Sequence, residues 1–226
     1  MLSALRMIRT KIPEGGGWKS VSLASLREGW SFVWSHSVIF PLMVLDFSAT
    51  FFGNARGLFP IFARDILFVG PAGLGLLYAA RAVGSLLAAI GMTLLGPVKR
   101  GGRWIVIGIG IYGMSTALFA QSSIFWLSVI MLTLTGAGDT ISSILRSTIN
   151  QISTPDELRG RMSSINSIFT SNGPQLGQFE SGLVAAWLGA RASALTGGLA
   201  TLMILAAVTA SYPVLRRYRI TSAAAP

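Results

Sequence analysis

Six ionisable side chains stand inside apolar runs long enough to cross a bilayer: Asp46, Arg56, Arg81, Asp139, Arg146 and Glu180. A carboxylate removed from water holds its proton more tightly than one in solution, and a neighbouring guanidinium opposes that shift. Acids and bases at membrane depth are therefore the groups that take up and release protons or gate a solute. At roughly 3 kcal/mol for each charge near a helix centre, six of them facing lipid would cost on the order of 15 to 20 kcal/mol. They are expected to face inward or to pair. Counted from the span ends, Arg81 and Glu180 fall in the outer half and Asp46 and Asp139 towards the inner half, so Arg81 with Glu180 is the expected pair. The competing reading is that such pairs only pin helix packing.

These groups need helices to hold them, and one segment is written unlike the rest. Residues 150–182 read NQISTPDELRGRMSSINSIFTSNGPQLGQFESG. A short charged loop leads into a membrane-length run laced with Asn, Ser, Gly, Pro and Gln, including Asn172, Gln175 and Glu180. Polar side chains at membrane depth are tolerated where they face protein or a water-filled cavity, so this run reads as the lining of a substrate path together with Asn54 on the first span. Pro174 is expected to bend it.

Composition agrees. Of 226 residues 52% are apolar and only 12% charged, and the mean hydropathy is +0.63, which places the chain in a bilayer rather than among soluble domains. The absence of cysteine excludes disulfides and thiolate metal sites, and the single histidine, His36, reads as an interface residue rather than a ligand. No metal and no cofactor is expected. The net charge of +10 does not imply nucleic acid, because the basic residues lie between apolar runs instead of on one soluble face.

The expected fold is all-α, a polytopic bundle of six membrane spans at about 38–62, 73–95, 104–120, 124–149, 162–189 and 192–214. It divides the chain into a linker at 1–37 carrying an amphipathic helix at 21–34, a membrane domain at 38–214 and a basic tail at 215–226. In the second span Gly75 with Ala79, and Ala80 with Gly84 and Ala88, stand four residues apart, which lets a neighbouring helix approach closely. The sixth span has no charge and is expected to be the most lipid-exposed or a purely structural member. With the amino terminus cytoplasmic, thirteen Lys and Arg fall in cytoplasmic segments and only Arg64 and Arg191 outside. That bias puts both termini in the cytoplasm.

The motifs TPDELRGR at 154–161, ESGLVAAWLG at 180–189, FARDIL at 62–67 followed by VGPAGLGLLYAARAVGS at 69–85, and GAGDTIS at 136–142 resemble the C-terminal half of major facilitator superfamily transporters, nearest the enterobactin-exporter-like, or transmembrane secretion effector, branch. The resemblance covers about 25–217 and implies a multi-pass secondary transporter of the bacterial inner membrane that exports a small molecule. It also implies a cytoplasmic gate in the loop between the second and third spans. Lys99, Arg100 and Arg103 stand there, but the acidic residue of the family pattern is missing. The family has twelve spans in two halves with the substrate site between them, and this chain matches one half. It is expected to be a fragment, a split-gene product, or a half that pairs with a matching six-helix half or a second copy. No GxxxxGK[ST] occurs, so proton antiport is the expected energy source, with Asp46, Asp139 and Glu180 as proton carriers. Asp156, Glu157, Arg159 and Arg161 would form a latch of ion pairs. No HExxH or GxSxG marks an enzyme. A membrane scaffold or partner subunit that transports nothing is the alternative.

Overall fold

In a computed structural model the protein is described at residues 33–34, 36–96 and 98–218, less the side chains of residues 156, 157, 168, 169 and 217. The expected amphipathic helix at 21–34 thus lies outside the described residues except for Val33 and Trp34, as do Arg219 and the end of the basic tail.

The elements in chain order are α1 (Ile39–Phe52), a 3₁₀ turn (Ala55–Leu58), α2 (Phe59–Ile61), a π-helical turn (Phe62–Ile66), α3 (Gly70–Leu95), α4 (Gly101–Gln121), α5 (Phe125–Ser153), α6 (Asp156–Leu188), α7 (Ala190–Ser211) and α8 (Pro213–Arg217). There is no strand among the described residues. Four helices, α3, α4, α5 and α7, are long and apolar enough to cross a membrane.

The other two expected spans take a different form. The first is a 14-residue helix that stops at Gly53 and continues to Ile66 through tighter and wider turns. Asn54 causes the interruption. Its side-chain oxygen accepts the Arg56 backbone N–H at 3.3 Å while its Nδ2 donates to the Pro174 carbonyl at 2.9 Å, so the local chain bonds to an asparagine instead of to a helical turn. The fifth, α6, has length to spare at 33 residues, but its polar content takes it out of the apolar class. The helix runs through Pro174 without interruption.

Packing centres on α5, which lies against α3 on one side and α4 on the other. α4 then packs on α7, and α7, α1 and α6 close the bundle. Glycines make the close approaches possible: a Cβ at Gly84 would drive into the Thr133 carbonyl, and one at Gly136 into the Arg81 carbonyl. Two large apolar clusters form beside a smaller one around Ile39, Met43, Met162 and Ile165. One gathers Leu42, Leu45, Ile105, Leu145, Ile149 and Leu215. The other holds Phe59, Phe62, Leu77, Phe119 and Leu132, with Phe62 stacked on Phe119 at 4.4 Å.

The sixth span, expected to be the most lipid-exposed or a purely structural member, is not the least covered of the four apolar helices. Only 22% of the apolar window of α3 is buried, against 39% in α7. Gly197 and Gly198 of α7 let the backbones of α1 and α4 come into contact, so a helix without charges is drawn inside by its small residues. Gly84 and Ala88 of α3 do meet a neighbour, whereas Gly75 has nothing within 4 Å.

His36 caps α1. Its Nδ1 accepts the backbone N–H groups of Val38 and Ile39, each at 3.3 Å, satisfying donors that a helix start leaves open. Burial holds its pKa below the usual histidine value of 6.5. The unfolded chain therefore binds a proton at a pH where the folded chain does not, so the contribution of this cap is full above about pH 6.5 and is lost as the pH falls towards the lowered value. Thermal unfolding in detergent should shift downward between pH 7.5 and 5, and His36→Asn, which keeps an acceptor that does not titrate, should flatten that dependence.

Candidate translocation site

The charges at membrane depth are sorted by helix. Asp46 leaves α1 two turns in and meets Arg146 of α5, and both side chains are about nine-tenths buried, with 9% exposure each. Ser142, one turn earlier on α5, stands 3.5 Å from the same guanidinium. Arg81 of α3 reaches Asp139 of α5, Nη2 to Oδ2, at 2.9 Å. Here the carboxylate is more open, at 35% exposure against 13% for the arginine. The Arg81 guanidinium lies 5.8 Å from the centre of the buried Tyr112 ring of α4, which packs against Gly53.

The expected pairing of Arg81 with Glu180 is therefore corrected: Arg81 belongs to Asp139. The reason is local. Gly136 and Gly84 bring α3 and α5 so close that the side chain one turn from each contact finds its partner across that seam, whereas Glu180 sits half-buried on α6 and forms no ion pair among the described residues.

The remaining residues divide. Asn54 is buried and ties the break in the first span to α6. Arg56 is exposed on the 3₁₀ turn, its carbonyl accepting the Tyr78 hydroxyl at 3.5 Å. Gln175 is exposed, and Asn172 is exposed on the side of α6 that carries Leu176 and Phe179. Lys99, Arg100 and Arg103 are exposed at the turn into α4, where Gly102 N–H donates to the Tyr218 carbonyl at 3.4 Å. Arg159 is exposed and Arg161 half-buried, while the side chains of Asp156 and Glu157 lie outside the described residues.

The structure adds a surface that single charges did not reveal. On α6, Ser163, Ser167, Ser171, Gln175 and Gln178 recur every three or four residues and all are exposed, while Phe179, Leu183 and Trp187 are exposed on another face. On α5, Ser143, Ser147 and Gln151 form a second exposed polar row. Beside the α5 row a cleft of ≈ 170 Å³ leads down to Asp46 and Arg146, lined by Ser143, Ser147 and Asn150 of α5 and by Asn166 and Thr170 of α6. The sequence signal was present: Asp139, Ser143, Arg146 and Asn150 step along α5 at helical spacing, and Thr154 follows its end. Asking which polar residues share a period would have found it.

A family model described as transmembrane secretion effector matches residues 1–223. The chain belongs to this family. Curated relatives carry the name enterobactin exporter EntS: those of Escherichia coli O81 (strain ED1a) and Escherichia coli O1:K1 / APEC are each 28% identical, over 199 and 200 residues, and that of Escherichia coli O139:H28 (strain E24377A / ETEC) is 27% identical over 199. Each match covers 88% of this chain and 48% of the relative, so the chain spans about half the length of the curated relatives it matches. No solved structure matches. The chain is thus an all-α, multi-pass membrane protein of the transmembrane secretion effector family, and its two membrane-depth ion pairs converge on α5.

Proposed function

We propose that this chain forms one wall of a proton-driven export path for a small organic molecule in a bacterial inner membrane, with both termini cytoplasmic. The observation that carries the reading is the pair of exposed polar rows on α5 and α6 beside buried charges. Hydroxyl and amide groups at that depth are unfavourable against hydrocarbon and favourable against a wet passage or a second protein wall. A second six-helix unit, in the same polypeptide or another, completes the passage, with the substrate between the two. The names of the relatives make enterobactin the first substrate to test. Asp46 and Asp139 are the proton carriers favoured by their ion pairs, because protonation of either releases an arginine and loosens a contact between two helices. Glu180 serves as a third acid on the α6 wall, and the first turns of α6, with Arg159 and Arg161, form the cytoplasmic latch.

The test is efflux from proteoliposomes holding the chain together with a matching six-helix unit, under an imposed pH gradient. Asp46→Asn and Asp139→Asn should each lower gradient-driven efflux at least tenfold. Full efflux in both variants would remove the coupling assignment. The exposed small residues Gly75, Ala79 and Ala82 on α3 favour the second reading, a scaffold that docks another membrane helix and carries nothing. No efflux with any partner, together with stable association with another membrane protein that Ala79→Leu abolishes, would select it.

A further inference from the structure

We infer that a hydrated branch opens beside the turn between α5 and α6 and conducts protons to the carboxylate of Asp46, an inference that rests on the export reading and assigns the route to one of its acids. Two cavities carry it. The cleft above Asp46 holds ≈ 170 Å³, and a second cavity of ≈ 300 Å³ reaches Thr154 and Arg159. They share Ser147, Asn150 and Asn166, so they adjoin along the same polar wall. A single water needs only about 10–15 Å³ of such space and two to four polar partners, and these cavities offer both several times over.

Asn150 gives the independent sign of water. Its Oδ1 is buried and accepts no hydrogen bond from the described residues, the setting in which a buried amide oxygen is commonly satisfied by a water donor. The large cavity lined by Val33, Trp34, Phe40, Phe47 and Ile204 borders α1 on another side, and of its lining only Ser48 is polar. It offers no comparable set of polar groups to water. The polar branch is therefore the wet one.

The charges around the end point are few. Arg146 of α5 faces Asp46 directly, Asp139 of the same helix lies within its electrostatic reach, and Arg81 of α3 occupies Asp139. α6 brings Asn166 and Thr170 to this level, both uncharged. A hydronium arriving along the branch gives one proton to an Asp46 oxygen and leaves as water. The new O–H removes the negative partner of Arg146, which keeps the Ser142 hydroxyl.

The natural chain contains no cysteine, so single cysteines can be introduced into the full chain in membrane vesicles without further change. Ser147→Cys and Asn166→Cys should react with a small cationic methanethiosulfonate at least tenfold faster than Val83→Cys and Leu87→Cys on the exposed apolar face of α3. Ser147→Cys is nearly isosteric, which guards against a folding artefact. Equal rates at all four positions would overturn the branch. Acid-jump infrared difference spectra should show a protonated carboxyl band that is absent in Asp46→Asn, and its absence in the unsubstituted chain would overturn the proton step. Neither readout needs transport. Labelled cysteines in a chain that exports nothing would keep the branch and reject the export reading, and unlabelled cysteines in an exporting chain would do the reverse.

Discussion

Removing one member of the Asp46–Arg146 pair should destabilise the bundle by about 3–5 kcal/mol, because the remaining charge stays buried with nothing opposite it. Both side chains are almost wholly covered, so the few waters the narrow cleft can hold do not replace the lost partner charge. The double variant Asp46→Leu/Arg146→Leu should recover most of the loss, since a buried ion pair and a well-packed apolar pair are of similar stability. The same cycle on Arg81 and Asp139 should show a smaller coupling, because Asp139 remains about one-third exposed and can be hydrated when its partner is removed. Reversible denaturant unfolding in mixed micelles gives the four free energies. Equal coupling in the two cycles would mean that burial does not distinguish the pairs.

The second large effect should come from an uncharged site. Gly84→Leu is expected to separate α3 from α5, since even a Cβ there meets the backbone carbonyl of Thr133, which has no rotamer to yield. A loss of about 3 kcal/mol or more is expected, and with it the Arg81–Asp139 contact one turn away, so Gly84→Leu should also match Asp139→Asn in any efflux defect. Gly75→Leu, on the same helix with nothing within 4 Å, is the control and should change stability by less than about 0.5 kcal/mol. A wild-type unfolding midpoint in Gly84→Leu would show that the helices are not held by that seam.

Both predictions concern groups whose importance was partly legible from residue type. That Asp46, Arg81, Asp139 and Arg146 must face inward follows from the energy of charge in hydrocarbon, and the structure places all four between helices. Which of them meet did not follow. The expectation for Arg81 and Glu180 used depth along the spans, and depth is shared by every helix in the bundle. Partnership depends on which helices are adjacent, and that is set by glycine seams formed between residues about 50 positions apart in the chain. The polar rows were legible in principle at helical spacing, but a row of serines becomes a passage only when a second row lies opposite, as Ser147 and Asn150 of α5 do across from Ser163 and Asn166 of α6.

The sequence by itself determined that this protein is helical, that it lies in a membrane, that its charged residues at depth need a partner or a wet surface, and that one helix is polar enough to line a path. Each of these depends on the local energy of a side chain or backbone group against lipid, which every stretch of chain carries with it. Only the tertiary structure decided that Asp46 belongs to Arg146, that Arg81 belongs to Asp139, that α7 is more covered than α3, and that polar residues of α5 and α6 border one cleft. Those outcomes depend on how closely two backbones can approach, and that distance is a property of the pair rather than of either segment alone.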